Sequence, residues 1–202
     1  RRNIYAIGIF YIINHHRKNF TINKTWLNRR TVIHFGGVES MFYLYVNGIQ
    51  VGMSKDSRTP SEFDLSDYLQ EGDNSLVVKV IRWCDGSFLE DQDHWWMAGI
   101  YRDVYLYSTD QVFIEDLFAK SVLAEDLKSG ELSIDVSLGC VNRNDEVHQF
   151  NVELFDATGT CVAKLNESAL VNVIPIAKTA TNRSSEAQLS NRFDLELKVP
   201  QV

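Results

Sequence analysis

The chain has 202 residues, enough for one large β domain or two smaller ones, and its 45% hydrophobic and 23% charged content is that of a folded globular protein. A formal net charge of −7 argues against nucleic acid as a partner, because phosphate recognition needs a basic face. Three cysteines, Cys84, Cys140 and Cys161, make neither a disulfide framework nor a zinc spacing.

Arg1 and Arg2 precede an apolar run, Ile4–Ile13, that superficially resembles a secretory signal. No small-residue cleavage site follows and the run is too short to cross a bilayer, so a β-strand is expected there. No other stretch is a candidate membrane span. TVIHF at 31–35 reads as a strand ended by Gly36-Gly37; without a following helix or a lysine, the glycine pair is no phosphate loop. In MFYLYVN, Phe42, Leu44 and Val46 share one face and Met41, Tyr43 and Tyr45 the other. Asn47-Gly48 and IQVGM follow at once, the signature of a hairpin with a two-residue type I′ turn. Leu65, Tyr68 and Leu69 have helical spacing for one turn, with Gly72 suited to end it. Ser75–Trp83 reads as a strand with apolar residues on both faces, as in the centre of a sheet. An acidic connection comes next, and Ile100–Tyr107 is the following strand.

After about Asp110 aromatic residues thin out and alternation sharpens. Leu132, Ile134, Val136, Leu138 and Cys140 point one way, which predicts a buried free thiol at Cys140. Phe150, Val152 and Leu154 repeat the pattern, Thr158-Gly159 turns into TCVAKL, and FDLELKV alternates again. Strands with one apolar face at this spacing predict an immunoglobulin-type β-sandwich, with the domain boundary near residue 110. Asn166–Ser190 is mostly polar and predicts no element.

The chemistry concentrates in DGSFLEDQDHWWMAGIYRDV, Asp85–Val104. Glycoside hydrolysis needs two carboxylates placed on suitable sides of a sugar, and Glu90, Asp91 and Asp93, crowded on one loop, do not make such a pair. Three readings of the loop stay open: it binds a sugar, holds a cation, or plugs the end of a barrel. Indole packs on the C–H face of a sugar and carboxylates accept from vicinal hydroxyls. The commoner fate of loop tryptophans is to fill a core end, with the acids capped by backbone amides and Arg102. If the chain is extended, Trp95 and Trp96 point to opposite sides, one inward and one free to face a ligand. The histidines (His15, His16, His34, His94, His148) show no metal-binding spacing; His34, within a strand, reads as structural. No serine lies in a G-x-S-x-G elbow.

Four motifs carry a family resemblance: VNG at Val46–Gly48, DSRTPSEFDL at Asp56–Leu65, RWCDGSFLEDQD at Arg82–Asp93, and GIYRDVYL at Gly99–Leu106. From about Phe20 to Leu106 the chain resembles the N-terminal sugar-binding domain of β-galactosidases of glycoside hydrolase family two. The segment after Asp110 resembles the family's second, immunoglobulin-like domain. The resemblance implies an all-β chain. Residues 1–110 would form a jelly-roll, galactose-binding-like β-sandwich truncated at its N-terminus, and 111–202 an immunoglobulin-like β-sandwich lacking its last strands. It implies a bacterial, retaining enzyme acting on β-galactosides, whose acid/base and nucleophilic glutamates lie in a (β/α)₈ barrel outside this chain. The acidic loop reaches into that barrel's site. By motif position Asp93 contacts galactose and helps ligate sodium, with magnesium a further metal of the parent. Glu90 and Asp91 brace the loop, and Asp56 and Arg58 are buried partners. The parent would be a homo-oligomer. With no convincing signal peptide, the cytoplasm or periplasm is expected.

The chain departs from the family pattern at His94, Trp95 and Trp96, where an apolar residue, Trp and Arg are common. It also departs at Ala98, often serine, and at GIFYIINHHRKNFTI, which carries extra residues. Two alternatives remain: a stand-alone carbohydrate-binding or adhesion module, and a sister enzyme such as a β-glucuronidase or β-mannosidase.

Overall fold

The computed structural model describes residues 2–3, 13–90, 93, 98–125, 129–141, 147–170 and 192–199. The protein is all-β, and its described residues divide into two compact units, one up to Asp110 and one from Gln111 onward.

In the first unit, one sheet runs β1 (Arg2–Asn3), β10 (Val104–Thr109), β3 (Arg30–Phe35), β7 (Ser61–Asp64). The facing sheet runs β2 (Ile13–Ile22), β8 (Gly72–Ile81), β5 (Met41–Val46), β6 (Ile49–Ser54). Period-two patterning builds both. Along β8, Asn74, Leu76, Val78 and Val80 are buried while the residues between them are half-buried, so one face joins the core. Phe42, Leu44 and Val46 of β5 meet Ile33, Phe35, Phe63, Val104 and Leu106 of the opposite sheet, which makes the unit a β-sandwich. β8 is central, as its two apolar faces require. Of the N-terminal apolar run, Ile4–Ile12 lies outside the described residues; Ile13 opens β2, which pairs with β8 from Ile13↔Ile81 to Ile22↔Gly72. A two-stranded ribbon, β4 (Val38–Glu39) with β9 (Gly99–Ile100), joins the segments flanking the candidate site.

The β5–β6 turn has Asn47 at φ 51° and Gly48 at φ 83°, the left-handed pair a type I′ turn demands. The Asn47 amide also donates to Tyr68 O at 2.9 Å and Asn74 Oδ1 at 2.8 Å, and accepts from the Ser75 N–H at 2.9 Å. Asn47→Ala loses all three bonds and puts a Cβ-bearing residue without a local hydrogen bond at positive φ. It is expected to cost about 2–3 kcal/mol in urea unfolding, and a loss under ~0.5 kcal/mol would show that these bonds do not hold the turn.

The helical turn expected at Leu65–Leu69 is a single 3₁₀ turn, Ser66–Tyr68, that follows β7. Asp64 Oδ1 accepts from the Ser66 N–H and hydroxyl at 2.9 and 2.5 Å, and Tyr68 N–H bonds Leu65 O at 2.9 Å, so local side-chain bonding stops propagation. Gly72, at φ +85°, opens β8.

The second unit pairs β11 (Val112–Leu123), β12 (Gly130–Cys140) and β15 (Arg192–Val199) in one sheet, and β13 (Val147–Phe155) with β14 (Cys161–Leu170) in another. Ile134, Val136, Leu138 and Cys140 are buried, with Val112, Leu132, Phe150 and Val152 packed on them. Cys140 is buried and forms no disulfide, as its phase predicts. The β13–β14 connection turns at Asp156, whose Oδ1 accepts from the Thr158 and Thr160 N–H groups at 2.8 and 2.9 Å, and at Gly159, φ +85°. One expectation fails here. β14 continues through Asn166–Leu170, a stretch whose polar side chains predict no strand, because backbone pairing with β13 (Asn166↔Asn151 to Leu170↔Val147) is indifferent to side-chain polarity. No helix among the described residues is long and apolar enough to cross a membrane.

Candidate functional site

The connection from β8 to β9 contains a short helix that the sequence pattern does not signal, α2 (Asp85–Leu89), which follows the single turn α1 (Lys24–Leu27) of the β2–β3 connection. Polar bonds fix it at both ends. At its start, Cys84 N–H donates to Ser87 Oγ at 3.0 Å, Ser87 and Ser40 hydroxyls meet at 2.7 Å, and Ser40 Oγ donates to Cys84 Sγ at 3.0 Å. With Ser87 donating to Ser40, the cycle closes and each hydroxyl gives one proton and takes one. Lys55 Nζ adds an exposed ion pair to Asp85 Oδ2 at 2.9 Å. At its end, Glu90 N–H bonds Gly86 O at 2.9 Å, and Glu90 Oε1 accepts the Ser57 N–H at 3.2 Å.

The Ser57 anchor is itself held. Asp56 Oδ1 accepts from the Arg58 and Thr59 N–H groups at 2.9 and 3.1 Å, and Oδ2 from the Thr59 hydroxyl at 2.5 Å. The Tyr101 hydroxyl donates to Ser57 O, and Arg102 Nη1 donates to Arg58 O at 3.1 Å and Gly36 O at 3.2 Å. Gly37 makes room for this: a Cβ there would stand 2.7 Å from the Tyr101 ring. Glu39, Ser40, Ser57, Arg58, Trp83, Ser87 and Glu90 line a shallow, solvent-open cleft between these segments. Trp83 is 41% exposed, and the Arg82 guanidinium lies 5.1 Å from its ring centre.

Asp93, the one residue expected to touch ligand, is exposed, three residues beyond the Glu90 anchor. Asp91, His94, Trp95 and Trp96 lie outside the described residues. Glu90 braces the loop as the resemblance implies. Asp56 and Arg58 do not form the expected buried pair. Asp56 is exposed and spends its carboxylate on its own turn, while Arg58 is half-buried with Nη1 3.5 Å from Glu39 Oε2. The short aspartate side chain reaches backbone donors two and three residues ahead more readily than a guanidinium turned the other way. Arg102, expected to cap the acids, donates to carbonyls instead. His34 is structural: Nδ1 lies 2.9 Å from Glu62 Oε1 and the ring stacks on Tyr105 at 4.6 Å.

The Thr59 hydroxyl, then the backbone N–H groups of Arg58 and Thr59, hold the Asp56 carboxyl below its ordinary 3.8. A depressed carboxylate stabilises the fold above its unfolded pKa and loses that contribution as pH falls through the folded value. The 56–60 turn is therefore expected to stay anchored down to about pH 4 and to loosen below it. Protection of the Arg58 and Thr59 amides, measured against their intrinsic exchange rates, should fall over that window, and Asp56→Asn should remove this pH dependence.

An Asp93 carboxylate is the hard anionic oxygen that sodium accepts, so its chemistry fits that cation, with the remaining oxygens coming from elsewhere. Among the described residues no group of three or more His, Cys, Asp or Glu side chains gathers as a metal site.

Residues 12–110 match the family model for the sugar binding domain of glycosyl hydrolases family 2. A β-galactosidase of Vibrio cholerae is 50% identical over 149 residues, covering 74% of this chain and 14% of that protein. One from Priestia megaterium is 48% identical over 141 residues, covering 69% and 14%. The chain thus spans about one seventh of the length of these curated relatives. Among solved structures, a Bacteroides uniformis β-glucuronidase superposes with TM-score 0.73 over 96% of this chain and 22% of its own, at 16% identity. A β-glycosidase from Bacteroides vulgatus does so with TM-score 0.67 over 79% and 20%, at 24% identity. At such identities the likeness is one of fold. The sequence matches place residues 12–110 in glycosyl hydrolases family 2, as the family's sugar-binding domain.

Proposed function

We propose that the chain is the non-catalytic N-terminal part of a bacterial β-galactosidase, supplying a sugar- and sodium-contacting loop to an active site built elsewhere in the same polypeptide. The observation that carries this is the 50% identity over 149 residues to a protein named β-galactosidase, through the acidic loop, whereas the β-glucuronidase structure shares the fold at 16%. In the complete enzyme one barrel glutamate would protonate the leaving oxygen and a second would attack the anomeric carbon. Asp93, exposed beyond a braced helix, would accept hydrogen bonds from galactose hydroxyls and give one anionic oxygen to sodium. Its contribution is to orient the sugar, not to break the bond. Glu90 and the Ser40–Ser87–Cys84 cycle hold the backbone from which Asp93 projects.

The test is to express the complete open reading frame and assay nitrophenyl β-galactoside against nitrophenyl β-glucuronide, beside the 202-residue chain alone. Hydrolysis of the galactoside by the complete protein, and none by the chain, is the expected result. A stop codon directly after Val202 would make the protein a stand-alone carbohydrate-binding module, and preference for the glucuronide would make it a sister enzyme.

A further inference from the structure

Several basic side chains of the first unit are already engaged: Lys55 with Asp85, Arg58 with Glu39, Arg30 with Asp64, Arg29 with Asp110, and Arg102 with carbonyls. Arg17 and Lys79 differ: neither side chain has an ion pair or hydrogen bond among the described residues. The register puts both on the outer face of the sheet built from β2, β8, β5 and β6, turned away from the core. His15, Lys79, Tyr43 and Met53 form one cross-strand row, and Arg17, Val77, Tyr45 and Gln50 the next. Arg17 and Lys79 are thus diagonal neighbours, ~7–8 Å apart across the pair. With Ile13, Ile81 and Met41 on one side and Asn19 and Ser75 on the other, four successive rows hold no carboxylate, in a chain with 27 acids against 20 lysines and arginines. Grouping like charges across strands costs stability and returns nothing to the fold. His15 and Arg17 are exposed, and Lys79, Tyr43 and Tyr45 half-buried, so the face is open to a ligand.

We infer that this face binds a carboxylate-bearing polysaccharide, with its sugar rings on Tyr43 and Tyr45 and its carboxylates on Arg17 and Lys79. The two tyrosines lie two residues apart on one strand, ~6.8 Å along the sheet, so both can touch one extended chain. Each offers an apolar ring and a hydroxyl that has no hydrogen bond among the described residues. The Arg17 guanidinium matches a carboxylate in paired hydrogen bonds, and Lys79 adds a point charge. An acidic peptide fits less well. β8 and β5 are already paired on both edges, so an added strand finds no ladder here and recognition falls to rings and charges. Nucleic acid fits less well again, because a phosphate at every nucleotide would meet two fixed cations in a chain of net charge −7. The apolar row Ile13–Ile81–Met41 stands between these cations and the acidic connection that follows β8. The inference does not depend on the reading of Asp93.

Affinity gel electrophoresis of the 202-residue chain through polygalacturonate, neutral β-galactan, polyglutamate and a single-stranded oligonucleotide tests this. Retardation by polygalacturonate alone, weakening as salt rises, is the expected result. The double variant Arg17→Gln, Lys79→Gln should bind roughly tenfold more weakly with unchanged melting. Tyr43→Leu and Tyr45→Leu, each checked by melting, should weaken binding severalfold at unchanged net charge, an effect that general charge attraction does not produce. Lys164→Gln removes a cation from the second unit, where it pairs with Glu153, and should leave binding unchanged. No retardation by polygalacturonate overturns the inference, as does an equal loss in Lys164→Gln or no loss in either tyrosine variant that melts normally. Equal retardation by the galactan removes the role of the cations, and equal retardation by polyglutamate or the oligonucleotide assigns the face to another polyanion; each rejects the proposal.

Discussion

In the complete protein, Asp93→Asn is expected to fold normally, lose roughly tenfold to a hundredfold in kcat/KM, and lose its response to sodium. Asparagine keeps the size and one acceptor oxygen of aspartate, and the side chain is exposed, so the substitution removes charge without disturbing packing. A sugar hydroxyl bound to a carboxylate makes a charge-assisted hydrogen bond worth about 1.5–3 kcal/mol. Part of that, lost where the sugar is oriented, accounts for the expected range. The sodium response disappears for a separate reason: a hard cation is held chiefly by anionic oxygen. Glu90→Gln is the control. Glu90 accepts the Ser57 N–H at 3.2 Å, so it belongs to the bracing of the loop. Glutamine retains an acceptor, and the variant should lower the melting temperature slightly with little change in turnover. Steady-state kinetics of both variants across a sodium titration, with melting temperatures alongside, distinguish the two roles. A sodium response lost in Glu90→Gln and kept in Asp93→Asn would reverse the assignment.

The sandwich was legible wherever a local rule controls the backbone. Asn47-Gly48 admits few turns, and the alternation along β5, β8 and β12 leaves one face for the core. α2 was not legible, because five residues with a glycine among them carry no period, and the helix owes its existence to tertiary bonds. Ser40 is 47 residues from Ser87, Ser57 is 33 from Glu90, and Tyr101 is 44 from Ser57. No window of sequence contains these pairs, and serine and tyrosine have no distinctive signal of their own. The Asp56 turn departs from expectation for a related reason: its motif is recognisable, but the carboxylate bonds its own loop, a choice the motif does not encode. Asp93 itself was visible only through resemblance. On residue chemistry alone the acidic loop kept three readings, and its exposed aspartate is compatible with a ligand without naming one.

The core that supports this loop is expected to be intolerant of a missing ring. Phe42→Ala should cost about 3–5 kcal/mol, a large share of the ~5–15 kcal/mol that stabilises a typical domain. Phe42 is 1% exposed, 4.7 Å from the Phe35 ring centre and 5.7 Å from that of Phe63, with Phe35 and Phe63 6.2 Å apart. The three rings bridge both sheets, so removing the middle one opens a cavity that neither sheet can close alone. The surroundings cannot relax cheaply either. Phe63 already lies so close to Gly52 that a Cβ there would fall 2.7 Å from its ring, and the β6 backbone therefore fixes one side of the cluster. β5 pairs directly with β8, whose end leads into α2, so a shift at Phe42 is transmitted to the base of the acidic loop. Ile49→Ala is the comparison: Ile49 is 57% exposed on edge strand β6, and its truncation should cost about 0.5 kcal/mol or less. Urea unfolding of the 202-residue chain, followed by tryptophan fluorescence, measures both. If the midpoint of Phe42→Ala moves no further than that of Ile49→Ala, the three-ring cluster does not carry the stability of the first unit.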